Sequence, residues 1–437
     1  MEQYIGYIVS PYNDDEIIES VRLSLSNELI EIEFSASCLH YLDLPYILGT
    51  FNGLGKVTFF KCQNSGSSSG SGASQKKYSA QFLFIGDYLP NPEDKYFEYV
   101  QIAVKGLYSW TKISSIINDV YESKTIRIED SPNILIYSCN DYIVELYSNV
   151  NYSFKRKNNE ISLKENVGIK ILSKNRVLNV WEYLELLREF QKLFFILGNV
   201  DTQIDKVFFC DGSDYPVTLN WHGYKAIGLP SPTNLALQFH DIVPELQSII
   251  TNWINKKELQ TSIDLILEKS KNSDLSVENY FLNNCFAIET LHRRYMNFRI
   301  FDESEFKSIK KKILEDIENI EVKEILSNNL AHINEPNFRR RLKDFSEIFN
   351  KVLPGDFELD QFITRVVKTR NFLVHRSSDK NTFAKFEMLY AAIFIEIIVK
   401  VNIYRLLEIK EPLIDNALQS TSRTTIAMYE FNKHLSY

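Results

Sequence analysis

The hydrophobic period of the chain changes near Val243, and this switch limits the folds open to it. From Val243 onward apolar residues recur at helical spacing. They do so in VPELQSIITNWINKKELQTSIDLILEK, VENYFLNNCFAIETLHRRYMNF, ESEFKSIKKKILEDIENI, NFRRRLKDFSEIFNKVL, DFELDQFITRVVKTRNFLVH and TFAKFEMLYAAIFIEIIVKVNIYRLL. Up to about residue 170 the pattern differs. EQYIGYIVS, ELIEIEFSAS, KVTFFKCQN, YSAQFLFIGDYL, IRIE and NILIYS mix β-branched and aromatic residues between turn residues, which predicts strands. WEYLELLREFQKLFFILGN (181–199) predicts one helix stopped at Gly198 and Asn199, and a strand pair follows at KVFFCDG and YPVTLNW. NWHGYKAIGLPSPTN (220–234), with Pro230 and Pro232, reads as an extended connector. The Gly/Ser stretch NSGSSSGSGAS (64–74) predicts a long flexible hairpin loop. No repeat of solenoid period is present. The expected fold class is α+β: a β-rich N-terminal region followed by an all-α helical bundle. The expected boundaries are 1–170 (β-rich), 171–270 (mixed α/β connector region) and 271–437 (helical).

Composition narrows the function classes. Five cysteines (Cys38, Cys62, Cys139, Cys210, Cys285) form no C-x-x-C pair, which argues against a disulfide framework or zinc site and for a reducing cytosol. The N-terminus meets acidic residues too early for a secretory signal. MLYAAIFIEIIVKVNIY, the stretch closest to a membrane span, is interrupted by Glu396 and Lys400. A soluble, cytoplasmic protein is expected. The net charge of −8 does not suggest a bulk nucleic-acid binder, but its distribution is uneven. Residues 271–437 carry 25 Lys+Arg against 24 Asp+Glu, and the first 270 carry 24 against 33. A polyanion site therefore belongs in the C-terminal part, as a local patch. His40, His222, His240, His332 and His434 show no ligand spacing, and neither a phosphate-binding glycine loop nor G-x-S-x-G nor H-E-x-x-H occurs. No metal and no cofactor are expected.

The segment VVKTRNFLVHR holds the most unusual placement. On a helical wheel with Leu359 at zero, Phe362, Ile363, Val366, Val367, Leu373 and Val374 fall between about −60° and about +80°. Arg370 falls at about +20°, inside that apolar arc. A guanidinium cannot shed its charge there; it needs a carboxylate, a phosphate or a surface that water reaches. Asn371 and His375 are i, i+4 neighbours, whereas Arg370 and His375 lie about 140° apart. Those two converge only through the long arginine side chain, or if the helix loosens before Ser377-Ser378-Asp379. A second helix repeats the theme. With Phe281 at zero, Cys285, Ile288 and Tyr295 share an apolar arc with His292, and Glu289 flanks it. One economical arrangement has Glu289 or His292 meeting Arg370 inside the bundle. Plainer readings stand beside these. Arg370 can be a structural ion pair, His375 a helix-end histidine, His292 a satisfied core histidine, and Arg339-Arg340-Arg341-x-Lys343 a solvated helix face.

Arg370-Asn371-x-x-x-His375, in the penultimate long helix of an all-α domain, resembles the R-x4–6-H motif of HEPN domains, in which a polar residue often follows the arginine. The layout, with FAIETLHRR and NFRRRLKDF in the helical part, is similar to ApeA-type bacterial anti-phage proteins, which are abortive-infection effectors. The resemblance implies metal-independent endoribonuclease activity that leaves a 2′,3′-cyclic phosphate. In it His375 is the general acid/base, Arg370 the phosphate clamp and Asn371 an orienting group. Glu289 and His292 are implied as supporting residues. Arg339, Arg340, Arg341, Lys343, Lys368 and Arg376 are the candidate RNA contacts. The implied partners are single-stranded or looped host RNA, tRNA first among them, a second copy of the HEPN domain, and a phage protein as trigger sensed by the N-terminal region. Two alternatives remain open: a non-catalytic HEPN-like module that dimerises and binds RNA or nucleotide, and a structural adaptor in which Arg370 is salt-bridged to Glu289.

Overall fold

The computed structural model describes residues 1–26, 29–35, 46–70, 73–119, 125–129, 133–157, 159–213, 216–221, 227–228, 230–296, 299–330, 333–353, 358–375 and 381–421. The chain divides into two compact units, Met1–Phe195 with Val200–Gly228, and Ile196–Asn199 with Leu229–Tyr437.

The first unit begins with β1 (Glu2–Ser10), β2 (Asn13–Ser26), β3 (Leu29–Ser35), β4 (Tyr46–Phe51), β5 (Gly55–Gly70) and β6 (Ala73–Ile85). These strands pair antiparallel in the order β6-β3-β2-β1-β4-β5, and β5 pairs with β6 to close a six-stranded barrel. Alternation fills it: Val21 and Leu23, Ile30 and Ile32, and Val57 and Phe59 are buried in one core with Ile8, Ile47 and Phe51. Gly6 permits this closure, since a Cβ there would meet the Thr50 carbonyl at 2.2 Å and the Phe51 ring.

There follow β7 (Tyr96–Phe97), β8 (Tyr99–Val104), α1 (Leu107–Thr111), β9 (Ile116–Asp119), β10 (Thr125–Ile128), β11 (Ile134–Ser138), β12 (Tyr142–Lys155), β13 (Glu160–Ser173), β14 (Leu178–Asn179), α2 (Val180–Gly198), β15 (Ile204–Cys210) and β16 (Val217–Trp221). A sheet in the order β11-β12-β13-β8-β15-β16 attaches to the barrel through β16, which pairs with Phe82–Ile85 of β6. β9 with β10, and β7 with β14, form separate two-stranded pairs.

The Gly/Ser stretch departs from its expectation. Ser67, Ser68, Ser69 and Gly70 pair with Lys76, Gln75, Ser74 and Ala73, so the ladder runs almost to the turn. Backbone hydrogen bonding needs no particular side chain, and the ladder begun at Val57 and Ile85 resumes after a register shift between Asn64 and Gly66 to carry the polar residues along.

The second unit is helical from α3 (Phe239–Ile242) and α4 (Leu246–Asn255) through α5 (Gln260–Lys271), α6 (Val277–Tyr295), α7 (Glu303–Glu315), α8 (Ile320–Leu330), α9 (Phe338–Lys343), α10 (Ser346–Val352), α11 (Leu359–His375) and α12 (Lys385–Leu406) to a last helix over 411–421. This architecture matches the α+β expectation. Two stretches read as single helices are broken, at Lys257–Leu259 and between α9 and α10. α12 is buried from Tyr390 to Tyr404 on every side, and α6 packs along it.

The two charges that interrupt the apolar run of α12 meet within it, Lys400 Nζ to Glu396 Oε1 at 3.1 Å. Tyr280 donates to Glu396 Oε2 at 2.5 Å, Ser231 donates to Glu396 Oε1, and Lys400 donates to Thr233 Oγ1 at 3.2 Å. The Pro-flanked connector is thereby fixed to the bundle. Burial pushes the Lys400 ammonium below its ordinary range, against the pull of Glu396. Among the described residues no helix is long and apolar enough to cross a membrane.

Candidate active site

The site forms where α6, α9 and α11 pack on one another. α6 starts at Ser276, whose side chain accepts from the Asn279 amide, and it buries Phe281, Cys285, Ile288 and Leu291. α9 starts at Asn337, whose side-chain oxygen accepts from the Arg340 amide at 3.0 Å. α11 buries Phe362, Ile363, Val366 and Thr369. The Thr369 hydroxyl accepts from the Phe383 amide at 2.9 Å, and Arg365 clamps Glu387 with bonds of 2.9 and 2.6 Å. These ties hold α11 to the start of α12. The apolar arc does not stay covered along the whole helix: Val374 is 42% exposed near its C-terminal end, and Phe372, off the arc, is 40% exposed.

Arg370 stands where the covered part of α11 gives way to the open part, with 23% of its side chain exposed. Nη1 donates to Asn371 Oδ1 at 3.2 Å. Glu289 Oε2 lies 3.7 Å from Nη2, near enough for attraction but beyond hydrogen-bond reach. The guanidinium carbon lies 5.9 Å from the Phe286 ring centroid and 5.8 Å from that of Phe338. Nε is buried without a hydrogen-bond partner. Among the described residues the group therefore makes one hydrogen bond out of five possible N–H donors. It is held in place but not satisfied, and it can still take oxygens from an anion.

His375 is the last residue of α11 and is exposed. It makes no hydrogen bond or ion pair among the described residues, and none joins it to Arg370. An ideal helix sets the two about 7.5 Å apart along its axis. Asn371 is half-buried beside Arg370. Arg376 lies outside the described residues.

Of the two supporting candidates, Glu289 meets Arg370 and His292 does not. His292 is buried, with Nε2 2.9 Å from Asp344 Oδ2 and Nδ1 3.0 Å from Arg341 Nη1. An arginine only donates, so Nδ1 accepts and the proton sits on Nε2, directed at Asp344. Burial pulls the imidazole below its ordinary range, and Arg341 adds to this against Asp344. His292 is thus a neutral core histidine with both nitrogens engaged.

Arg341 corrects the expectation of an RNA-facing residue. It is 3% exposed, bonded to His292 and to Glu335 at 3.2 Å. The short α9 turns it inward while Arg340 stays exposed, so the basic run splits between core and surface. Arg339 donates to Thr364 Oγ1 at 2.8 Å, and Lys343 pairs with Asp360 at 2.7 Å. Lys368 is half-buried.

These groups form a line of alternating charge. Glu289 also meets Arg293 at 3.4 Å, Arg293 meets Glu335 at 3.6 Å, and Glu335 leads to Arg341, His292 and Asp344. Sequence reasoning missed Phe286, Phe338, Glu335 and Asp344. The i, i+3 spacing of Phe286 and Glu289 on α6 was the one local signal for any of them. Cys285, beneath the site, is no nucleophile, because burial pushes its thiol far up despite Arg370. Among the described residues no cluster of His, Cys, Asp and Glu could hold a metal ion.

Residues 3–253 match the family described as ApeA N-terminal domain 1, and residues 282–413 match the Apea-like HEPN family. No curated protein and no solved structure matches the chain.

Proposed function

The chain belongs to the ApeA-type family of HEPN proteins, and from that premise we propose that it is an anti-phage effector acting as a metal-independent endoribonuclease in the cytoplasm. The observation that carries this reading is the half-buried Arg370 guanidinium, fixed by Asn371 and two rings yet short of hydrogen bonds, on the same helix as the exposed His375. In the proposed reaction an imidazole takes the proton of the ribose 2′-OH, and O2′ bonds to phosphorus. The P–O5′ bond breaks, and an imidazolium returns a proton to O5′. The products are a 2′,3′-cyclic phosphate and a 5′-OH. His375 serves as base and acid, Arg370 binds the non-bridging oxygens as charge builds, and Asn371 Oδ1 holds Nη1 in place.

A second copy would bring a second Arg370 and His375 to the same groove. The exposed Phe286 and Val374 supply apolar surface for that pairing. The substrate is single-stranded or looped RNA, with tRNA the favoured class, whose backbone can bend for in-line attack. In this reading Arg339, Arg340, Lys343 and Lys368 contact the RNA backbone. The N-terminal unit senses the trigger, a phage protein, and regulates the nuclease.

The test compares wild type with Arg370→Ala, His375→Ala and Asn371→Ala on a labelled RNA hairpin. The first two should abolish cleavage while the folded mass of the assembly is unchanged, and the products should carry cyclic phosphate ends. A second reading, a binding module that does not cut, is favoured by the lack of a hydrogen bond between Arg370 and His375 among the described residues, while the Glu289 carboxylate 3.7 Å from Arg370 speaks for the structural-adaptor alternative. The binding module predicts RNA bound and left intact by wild type.

A further inference from the structure

β12 and β13 run on past the sheet that holds them. β11 pairs with β12 from Ile143 to Leu146, and β8 pairs with β13 from Gly168 to Leu172. Beyond these, Ser148–Lys155 and Glu160–Val167 pair with each other, and among the described residues neither has a ladder partner on its outer edge. A two-stranded ribbon of about eight residues per strand, roughly 26 Å, therefore projects from the first unit. Alternation puts Val150, Tyr152 and Phe154 on one face, and Leu163 and Ile161 stand opposite Tyr152 and Phe154. Tyr152, Phe154 and Ile161 are 76%, 55% and 67% exposed. A two-stranded ribbon is marginal in water, and the outer part of this apolar face is open, whereas Val150 and Leu163 nearer the sheet are half-buried.

The charge on the ribbon is opposite to that of its surroundings. Residues 150–165 hold Lys155, Arg156, Lys157 and Lys164 against Glu160 and Glu165, in a region where carboxylates outnumber cations. Glu165 is used internally: it accepts from Ser148 Oγ at 2.6 Å, Ser114 Oγ at 2.8 Å and the Ser115 amide at 2.5 Å. These bonds staple the ribbon base to the segment leading into β9. Lys155 has Glu160 at 3.6 Å, while Arg156 and Lys157 project at the turn, exposed.

We propose that this ribbon docks an extended acidic segment of a partner protein. The segment adds as a further strand along a free edge, with alternate apolar side chains on the Tyr152–Phe154 face and carboxylates near the cationic turn. Open edges supply the backbone donors and acceptors, and the face supplies pockets at every second residue. Among the described residues the outer edges of both strands are open over eight residues, and their alternating backbone donors and acceptors match an extended peptide, which favours a protein over a nucleic acid. A second copy would bring an identical cationic turn rather than its complement. This inference is independent of the nuclease reading, because its readout is binding alone.

The experiment selects a random 12-residue peptide display library on the full-length protein. Recovered peptides are then titrated by fluorescence anisotropy against wild type, Tyr152→Ser/Phe154→Ser and Lys155→Glu/Lys157→Glu. Recovered sequences should be acidic with alternating apolar residues, and each double variant should raise Kd by at least about ten-fold. Circular dichroism should show both variants folded, since all four positions are exposed. Basic or neutral recovered peptides, or unchanged Kd in both variants, would overturn the proposal. So would binding of a single-stranded RNA 20-mer or phosphatidylserine vesicles through these same residues, or a change of oligomeric state caused by the serine variant.

Discussion

Glu289→Gln gives the sharpest test of how Arg370 is held. The substitution keeps the shape of the side chain and removes its charge. The Nη2–Oε2 separation is 3.7 Å, and the side chains are 23% and 22% exposed. Coulomb's law brackets the attraction between about 1 kcal/mol at water-like screening and about 4.5 kcal/mol at an effective dielectric of 20. Three features place the useful figure at the low end: partial exposure, the absence of a hydrogen bond, and the claim of Arg293 on the same carboxylate at 3.4 Å. A phosphate entering at Arg370 must compete with Glu289. Loss of that competitor should tighten RNA binding by about 1 kcal/mol, or about five-fold in Kd. The assay is fluorescence anisotropy with a labelled RNA whose 2′-OH groups are replaced by hydrogen, in the His375→Ala background, so that nothing is cut. Arg370→Ala should abolish the gain. If Glu289→Gln weakens binding instead, the carboxylate organises the arginine for its ligand and the competition argument fails.

Three further outcomes follow from the same structure. His292→Ala leaves the buried Arg341 without its imidazole and should cost about 3 kcal/mol in chemical denaturation of the helical unit. Because His292 is held below its ordinary value of 6.5 in the fold, the unfolded chain binds the proton more readily. The contribution of His292 is therefore complete above about pH 6.5 and lost as pH falls through the lower folded value, and a denaturation series in pH should flatten in His292→Gln. Lys400→Met should cost about 3–5 kcal/mol by leaving Glu396 buried and unpaired, whereas Glu396→Gln combined with Lys400→Met should recover part of that loss, as a double-mutant cycle would show.

The helical half was legible because its period is set by burial. Phe362, Ile363 and Val366 lie inside as the wheel places them, and Arg370 sits at the edge of their stripe with Glu289 opposite. The core reading of His292 was open to a sequence argument for the same reason. Its partners Arg341 and Asp344 were not, since both sit near the end of a helix too short to show a period. Arg341 belongs to a basic run that looks uniformly solvated, and only the turn of α9 sends one member inward. The strands were less legible. β1 matches its predicted run, but the β12–β13 ribbon, which alternates as VNYSFK and EISLK, was not among the predicted runs, and it exposes both faces instead of packing one on a core. The serine-rich end of β5 carries a ladder that its composition conceals.

β6 serves the barrel and the adjoining sheet at once, bonded to β3 over Gln75–Ser79, to β16 over Phe82–Ile85, and to β5 on its other side. The barrel is therefore not a separable cassette. A fragment ending at Ile85 would keep its ring of strands but strip the last residues of β6 of a neighbour, leaving a hydrophobic margin that invites fibrous self-association. Residues more than a hundred positions downstream act as a sheath on that margin, so the barrel's edge at Phe82–Ile85 is covered only when β16 accompanies it.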